Sequence, residues 1–117
     1  MLVDDDPDTR AIYELFMSDF GLQVDTAMCL QEALARIEET AFDIIVTDVH
    51  LGDGLGTDLL HAVRSSQPAC RTLLCSSASF PADWHERHGT LADGYLLKPV
   101  QPHHLRTALE RAVGNTP

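Results

Sequence analysis

The segment 44–48 (IIVTD) restricts the fold of this chain more than any other stretch. It consists of four β-branched, mostly apolar residues that lead directly into one carboxylate. Such a run is typical of a strand buried on both faces, as in a parallel sheet covered by helices. In open α/β sheets, ligands bind at the carboxyl ends of the strands. The segment therefore predicts a central parallel strand over residues 42–48, with Asp48 at the functional edge of the sheet.

The rest of the chain alternates between strand-like and helix-like segments. The other expected strands cover residues 1–3, 22–27, 71–76 and 94–97. The expected helices cover residues 7–20, 29–40, 57–66, 82–88 and 102–113. The first of these is predicted from the spacing of Ala11, Ile12, Leu15, Phe16 and Phe20. Five strand–helix repeats with right-handed crossovers predict an α/β, flavodoxin-like (βα)5 doubly wound fold, with a five-stranded parallel sheet in the order 2-1-3-4-5.

Length and composition favour one cytoplasmic domain. A chain of 117 residues has the usual size of a single domain, so we expect one domain over residues 1–117. Residues 1–3 would be a truncated first strand and residues 114–117 a tail or the start of a linker. The three cysteines form no C-x-x-C pair, and we expect them to be reduced. The sequence has no signal-type segment and no apolar run of the roughly 18 residues that cross a membrane.

The charge balance argues against two classes of partner. Eighteen acidic residues against eight basic ones give a net charge of −10. Nucleic acids and acidic lipid surfaces would repel such a domain. We therefore expect neither nucleic-acid binding by this domain nor membrane binding, and we expect cation binding instead.

Polar side chains follow four of the expected strands. Asp4 and Asp5 follow the first strand, Asp48 ends the third, Ser77 follows the fourth and Lys98 follows the fifth. Carboxyl ends of parallel strands meet at one edge, so we expect these residues to lie together. Three neighbouring carboxylates repel one another unless a cation neutralises them, and hard oxygen ligands suit Mg²⁺. A lysine and a serine beside them can bind phosphoryl oxygens. The set predicts an aspartate nucleophile in a phosphoryl-transfer site.

Several stretches together resemble the receiver domain of two-component response regulators, of the kind found in chemotaxis regulators. They are residues 3–7 (VDDDP) with Arg10, residues 43–48 (DIIVTD), Ser77 with Ala78, and residues 94–99 (GYLLKP). Each stretch alone is common, whereas their order and their places on the expected elements are specific. The resemblance covers the whole chain and is short only at its start.

The resemblance implies a role for each residue at the sheet edge. Asp48 would be the phosphoacceptor, taking a phosphoryl group from a sensor histidine kinase or a histidine phosphotransfer domain. Asp5 would coordinate Mg²⁺ (or Mn²⁺) directly, with Asp4 assisting. Asp48 and the backbone carbonyl of His50 would be further ligands, and Lys98 would hold the phosphoryl oxygens.

The resemblance also implies a switch. Ser77 would move toward the phosphoryl group, and Tyr95 would change rotamer on the face formed by the fourth helix, the fifth strand and the fifth helix. A homodimer through that face is a further expectation. Such a domain is not a turnover enzyme, although it assists its own phosphorylation and dephosphorylation. It would be a stand-alone regulator, the receiver of a hybrid sensor kinase, or part of a transcription factor.

The loop after Asp48 departs from the family pattern. Gly52 stands where the family usually has proline, and Leu55 where an aspartate is common, while Gly56 fits the usual glycine. We therefore expect a glycine-rich loop over residues 51–56 that is more mobile than usual. His50 and Ser79 occupy positions that tune phosphate lifetime in the family.

Alternatives remain open for both residues and function. Asp4, Asp5 and Asp6 could form a solvated helix cap, Lys98 could belong to a simple turn, Ser77 could cap a helix, and Tyr95 could be a plain edge-strand aromatic. A small aspartate-nucleophile phosphohydrolase is a second hypothesis, although His50 stands where such enzymes have a second aspartate. A third is a pseudo-receiver that acts only as an interaction module.

Overall fold

The parallel sheet has the predicted order. In a computed structural model that describes residues 1–77 and 91–113, five strands pair in the order β2-β1-β3-β4-β5. These are β1 (Leu2–Val3), β2 (Thr26–Ala27), β3 (Ile44–Asp48), β4 (Arg71–Ser76) and β5 (Gly94–Leu97). β3 and β4 form the longest pairing, from Ile44 opposite Arg71 to Asp48 opposite Cys75. The flavodoxin-like fold class is confirmed.

Four described helices cover the sheet, and their ends follow local sequence signals. They are α1 (Pro7–Asp19), α2 (Leu30–Glu39), α3 (Gly56–Ser66) and the last helix (Pro102–Ala112). Asp6 caps α1 as predicted, because its Oδ2 accepts a hydrogen bond from the Thr9 amide at 3.1 Å. After α1, Gly21 has a φ of 90°, a conformation that favours glycine. All four helices lie within a residue or so of their predicted bounds.

The core lies on both faces of the sheet, as a doubly wound fold requires. One cluster joins α1 and the last helix to alternate strand residues; it contains Leu2, Tyr13, Met17, Ile44, Val46, Leu73, Leu105 and Leu109. The other joins α2 and α3 to the opposite face; it contains Val3, Ala27, Ala33, Ile37, Ile45, Leu59 and Val63. The β3 run is therefore buried on both sides, as its apolar character predicts.

The apolar residues that predict α1 do not form its fully buried face, although Phe16 and Phe20 pack against the core. Tyr13 and Met17 are its buried residues, whereas Ile12 and Leu15 are 50 % and 60 % exposed. Phe16 is only partly buried against the core. Spacing alone cannot distinguish the two sets, because both recur at helical intervals. The helix turns Tyr13 inward, where its hydroxyl accepts a buried hydrogen bond.

Two predicted strands are shorter than expected. The second strand contains only Thr26 and Ala27 instead of residues 22–27, because β1 offers only Leu2 and Val3 for parallel pairing. The third strand begins at Ile44 rather than at residue 42. The Phe42 amide donates instead to the side-chain oxygen of Gln67, at 2.9 Å.

The stretch after β3 is a small hairpin rather than the irregular loop that was predicted. His50–Leu51 pairs antiparallel with Gly54–Leu55, and Gly52 and Asp53 form the turn. The predicted helix over residues 82–88, Ser79 and the predicted tail over residues 114–117 lie outside the described residues. Within residues 1–77 and 91–113, no helix has the length and apolar character needed to cross a membrane.

Candidate functional site

Three carboxylates converge at the carboxyl edge of the sheet. Asp4 and Asp5 follow β1 directly, and Asp48 ends β3, the strand that pairs with β1 through Val3 and Thr47. One oxygen from each carboxylate lies within 4.8 Å of the others. Asp4 is only 2 % exposed, while Asp5 is exposed and Asp48 is half-buried. The predicted convergence of these residues is confirmed.

Lys98 brings an ammonium group to the same place. Its backbone amide continues the ladder of β5 by donating to the Ser76 carbonyl at 2.7 Å. Its Nζ lies 2.5 Å from Asp4 Oδ2 and 3.2 Å from Asp48 Oδ2, with the side chain only 14 % exposed. The lysine therefore bridges two of the three carboxylates, so it is more than a turn residue. Among the three carboxylates and this one ammonium, two negative charges remain unbalanced.

Asp4 is held rigidly by its neighbours. Its Oδ1 accepts a hydrogen bond from the Asp6 amide at 2.9 Å, and its backbone carbonyl accepts one from Arg10 Nη1 at 2.7 Å. The first turn of α1 thus orients the buried carboxylate toward Lys98. The alternative of a merely solvated cap fits Asp6, whose carboxylate caps α1, but does not fit Asp4.

The environment raises the pKa of Asp48 and the pKa of Lys98, whose charged groups lie 3.2 Å apart. Burial raises the pKa of Asp48 above its ordinary value, the Lys98 charge opposes this, and the charges of Asp4 and Asp5 add to it. Burial alone would lower the pKa of Lys98, but the hydrogen bond that Lys98 donates to Asp4 and the charges of Asp4 and Asp48 raise it overall. Lys98 is therefore protonated at neutral pH. Burial destabilises the ionised form of Asp48, and a further cation beside it would offset that destabilisation.

The donor set fits a hard divalent cation. Asp4, Asp5 and Asp48 offer only oxygen ligands, and the excess negative charge favours a dication. The group comprises one buried, one exposed and one intermediate residue, so it is open to solvent on one side. Mg²⁺ would find protein oxygens on one side and room for its waters on the other.

Gly56 allows the backbone to close around Asp48. A Cβ on this residue would lie 2.1 Å from the Asp48 carbonyl oxygen and 3.1 Å from Thr47 Oγ1. The Gly56 amide also donates to the Val49 carbonyl at 2.7 Å. Only glycine fits at this close approach, and the first turn of α3 is thereby fixed beside the end of β3.

The family model described as the response regulator receiver domain matches residues 1–110. The chain belongs to this family. Receiver domains are phosphoacceptor switches of two-component signalling, and this one carries the acidic cluster and the lysine on the strands where the family resemblance placed them.

Individual relatives agree with the family assignment. The receiver domain is 28 % identical over 116 residues to the transcriptional regulatory protein ZraR of Escherichia coli strain K12, matching 99 % of this chain and 26 % of that protein. It therefore spans about a quarter of the length of that relative. The chemotaxis response regulator CheY4 of Vibrio cholerae is 30 % identical, with a TM-score of 0.83 and coverage of 95 % and 94 % of the two chains.

A further solved structure comes from Burkholderia pseudomallei. This response regulator protein contains a phosphorylated aspartic acid, a calcium ion and citrate. It is 26 % identical to the receiver domain, with a TM-score of 0.82, and the match covers 96 % of this chain and 66 % of that one.

The remaining predicted site residues of the receiver domain surround this centre. Ser77 is exposed and directly follows β4, the strand beside Asp48. His50 is exposed in the first strand of the hairpin, two residues after Asp48. Tyr95 lies in β5 and packs against a cluster formed by Val49, Leu60, Leu74, Leu91 and Ala92. Ser77 and His50 therefore lie near the carboxyl ends of β4 and β3, while Tyr95 lies within β5.

Sequence analysis missed Tyr13 as a neighbour of the receiver site. Its hydroxyl accepts a buried hydrogen bond from the Val100 amide at 3.0 Å, and its ring centroid lies 5.9 Å from Lys98 Nζ. Tyr13 therefore supports the turn that carries the lysine, and its ring adds a weak cation–π attraction. The available signal was a polar-tipped aromatic among the apolar residues of α1.

Proposed function

We propose that this receiver domain is phosphorylated on Asp48 by a sensor histidine kinase or a histidine phosphotransfer domain, in the presence of Mg²⁺ (or Mn²⁺). The observation that supports this most directly is the Asp48 carboxylate, which lies 3.2 Å from the Lys98 ammonium and beside the carboxylates of Asp4 and Asp5. A likeness to a protein with a phosphorylated aspartic acid adds to that support.

The side chains divide the work of phosphoryl transfer. An oxygen of Asp48 attacks the phosphorus of a phosphohistidine, the bond between phosphorus and nitrogen breaks, and an acyl phosphate forms. Lys98, held by Asp4 at 2.5 Å, faces the developing charge on the phosphoryl oxygens. Asp4, Asp5, Asp48 and the backbone carbonyl of His50 would hold the cation, and the cation would neutralise charge on the carboxylates and the phosphoryl group.

The phosphorylated form would act as a switch. Phosphorylation changes the charge at Asp48 from −1 to about −2 and adds acceptor oxygens. Ser77, at the end of the adjacent strand, would donate to one of them, and Lys98 would bind another. Tyr95 packs behind these strands, so a shift at Ser77 would reach the surface around β5. That surface is the proposed face for a partner or a homodimer.

The proposal extends to the kind of module. Residues 1–117 would form a single cytoplasmic receiver domain that is a switch and not a turnover enzyme. It would bind no nucleic acid and no membrane itself. The charge of −10 supports this, and any output would come from a downstream protein or an attached domain.

One experiment tests the phosphoacceptor assignment. The chain is incubated with Mg²⁺ and acetyl phosphate, and the intact mass is measured with and without a chelator. We expect a Mg²⁺-dependent gain of one phosphoryl group that is lost in Asp48→Asn. Asp43→Asn is the matched control, because Asp43 is exposed just before β3, at the opposite end of the strand, and this variant should be phosphorylated normally.

Two results would count against the proposal. Phosphorylation of Asp48→Asn at the wild-type level would exclude Asp48 as the acceptor. Repeated hydrolysis of a phosphate ester by the wild-type chain would indicate a phosphohydrolase instead of a switch.

A further inference from the structure

Asp53 joins the turn of the hairpin to the start of α2. Its Oδ1 accepts a hydrogen bond from the Leu30 amide at 2.7 Å, and its Oδ2 accepts one from the Gln31 amide at 2.9 Å. Both donors lie in the first turn of α2, where the backbone amides have no hydrogen-bond partner within the helix. These bonds lower the pKa of Asp53, so the carboxylate is ionised at neutral pH. The contact spans more than 20 residues of sequence.

α2 depends on this contact because its own cap is weak. The residue before the helix is Cys29, whose sulfur accepts a hydrogen bond from the Glu32 amide at 3.4 Å. Sulfur is a weak acceptor, and cysteine is not among the preferred capping residues. The Asp53 carboxylate therefore supplies from the hairpin the cap that the local sequence lacks.

The hairpin depends on the same contact. Each of its strands has two residues, and so small a ribbon has little stability of its own. Two-residue turns that match the twist of a hairpin have a positive φ at one or both central residues. Among the described residues only Gly21 has one, so neither Gly52 nor Asp53 supplies it. The turn therefore needs an anchor from elsewhere in the fold.

The packing around the turn is tight on the α2 side. A Cβ on Gly54 would lie 2.5 Å from Leu30 Cδ2, so the hairpin backbone rests directly on the first side chain of α2. At its base the hairpin is closed by the amide of Gly56 bonding to Val49, beside Asp48. The path from Asp48 to α3 is thus held at its base by Gly56 and at its tip by Asp53, with His50 between these points.

We propose that Asp53 is a positioning residue of the phosphorylation site, which anchors the hairpin on α2 and thereby holds the His50 backbone where a divalent cation binds. This inference rests on the proposed function, because it concerns the affinity of that site for Mg²⁺. Asp53 is not one of the three carboxylates that converge at the site; it acts through the backbone between Asp48 and Gly56.

Gln67 offers a matched control for a purely structural cap. Its side-chain amide donates to the carbonyls of Ile37 and Thr40, each at 2.8 Å, and its oxygen accepts from Phe42. It thus ties down the opposite end of α2, at the edge of the sheet away from the site. Removal of either contact should destabilise α2, but only the loss of Asp53 should loosen the hairpin.

The experiment compares Asp53→Ala, Asp53→Asn and Gln67→Ala in the complete chain. Amide hydrogen exchange is measured without metal, and the Mg²⁺ dissociation constant by calorimetry. In Asp53→Ala we expect faster exchange at Leu30, Gln31 and in the hairpin, and binding of Mg²⁺ about tenfold weaker, since removal of an outer supporting group typically costs this much or more. Asp53→Asn keeps one accepting oxygen and should recover most of the affinity. Gln67→Ala should bind Mg²⁺ like the wild type.

Each remaining outcome has a definite meaning. If Asp53→Ala binds Mg²⁺ no more weakly than Gln67→Ala does, Asp53 is only a helix cap and the inference is overturned. If Asp53→Asn loses as much Mg²⁺ affinity as Asp53→Ala, and added salt abolishes the difference in affinity from the wild type, the positioning inference is overturned. Asp53 then acts on Mg²⁺ binding only through the long-range effect of its charge. If the wild-type chain binds no Mg²⁺ while its hairpin amides are protected, the proposed function fails, and the positioning role fails with it.

Discussion

Asp48 is a half-buried carboxylate whose ionised form is destabilised by burial. Burial outweighs the attraction of Lys98, which is why the pKa of the carboxyl lies above its ordinary value. A carboxyl with a raised folded pKa contributes stability that is present below the pKa of the unfolded state and is lost as pH rises through the folded pKa. At neutral pH, the ionised Asp48 carboxylate therefore destabilises the metal-free fold, and a bound cation would offset this destabilisation.

Removal of the Asp48 charge should therefore stabilise the metal-free fold. Asp48→Asn should be more stable than the wild type by about 1 kcal/mol at pH 7 without metal, because it removes the buried charge and leaves Lys98 paired with Asp4. The difference should disappear in strong acid, where Asp48 is protonated, and shrink with saturating Mg²⁺, which favours the wild type. Urea denaturation at both pH values checks it. A less stable Asp48→Asn at pH 7 would show that the Lys98 pair outweighs burial.

Gly56→Ala tests the close approach to the Asp48 carbonyl. The added Cβ would lie 2.1 Å from a backbone oxygen, so the start of α3 or the end of β3 has to move. We expect a loss of about 3 kcal/mol or more in stability, since backbone atoms cannot yield as a side chain can. Phosphorylation by acetyl phosphate should also fall. Wild-type unfolding in urea would contradict the observed geometry.

At the level of single residues, sequence reasoning succeeded where strand topology alone determines position. Asp4, Asp5, Asp48 and Lys98 converge because parallel strands end at one edge. Asp53 and Tyr13 were missed because their partners, α2 and Val100, are set by side-chain reach across distant segments. Nothing in the spacing of residues encodes such a contact. The roles of Ser77 and Tyr95 in switching stay predictions.

At the scale of secondary-structure elements, two glycines that end or connect elements differ in backbone conformation. Neither Gly21 nor Gly52 has a heavy atom within 4 Å of where a Cβ would be placed. Gly21, however, ends α1 with a φ of 90°, while Gly52 in the hairpin turn lacks a positive φ. The two positions therefore differ in backbone conformation and not in available space.

This difference predicts opposite effects of the same substitution. Gly52→Ala should stabilise the chain by about 0.5 kcal/mol, because it reduces the freedom of the unfolded state without strain. Gly21→Ala should destabilise it by about 1 kcal/mol, because alanine disfavours the left-handed region. The midpoints of urea denaturation measure both. A destabilised Gly52→Ala would show that the turn requires glycine after all.

The ends of an element were predicted well where a local sequence signal marks them, and poorly where the pairing with another segment determines them. Asp6 and Pro7 mark the start of α1 in the sequence itself, and the structure confirms it. β2 is limited to two residues by the length of β1, which no pattern within residues 22–27 reveals. The hairpin after β3 likewise depends on Asp53 and α2, so glycine content alone suggested a mobile loop.

In the molecule as a whole, two buried thiols make the stability of the fold decrease at alkaline pH. Burial raises the pKa of Cys70 to about 11 and that of Cys75 to about 12, from an ordinary value of 9.0. Above pH 9, the thiols of the unfolded chain ionise while those of the folded chain stay protonated. The unfolded state then loses protons first, and stability falls as pH rises toward the folded pKa values.

The corresponding prediction concerns the slope of stability with pH. Between pH 9 and pH 10.5, each buried thiol should remove up to about 1.4 kcal/mol per pH unit. Cys70→Ala and Cys75→Ala should each show a shallower decline than the wild type, whatever their stability at pH 7. Cys29→Ala is the control, because Cys29 lies closer to the surface. Equal slopes in all four proteins would contradict the prediction.

The contact between Lys98 and Asp4 also has a consequence for biosynthesis. The two residues are separated by 94 positions, and β5 is the last strand of the sheet to be translated. A growing polypeptide therefore carries Asp4, Asp5 and Asp48 long before their ammonium partner exists. The ion pairs that join Asp4 and Asp48 to Lys98 can therefore form only after synthesis has passed Lys98.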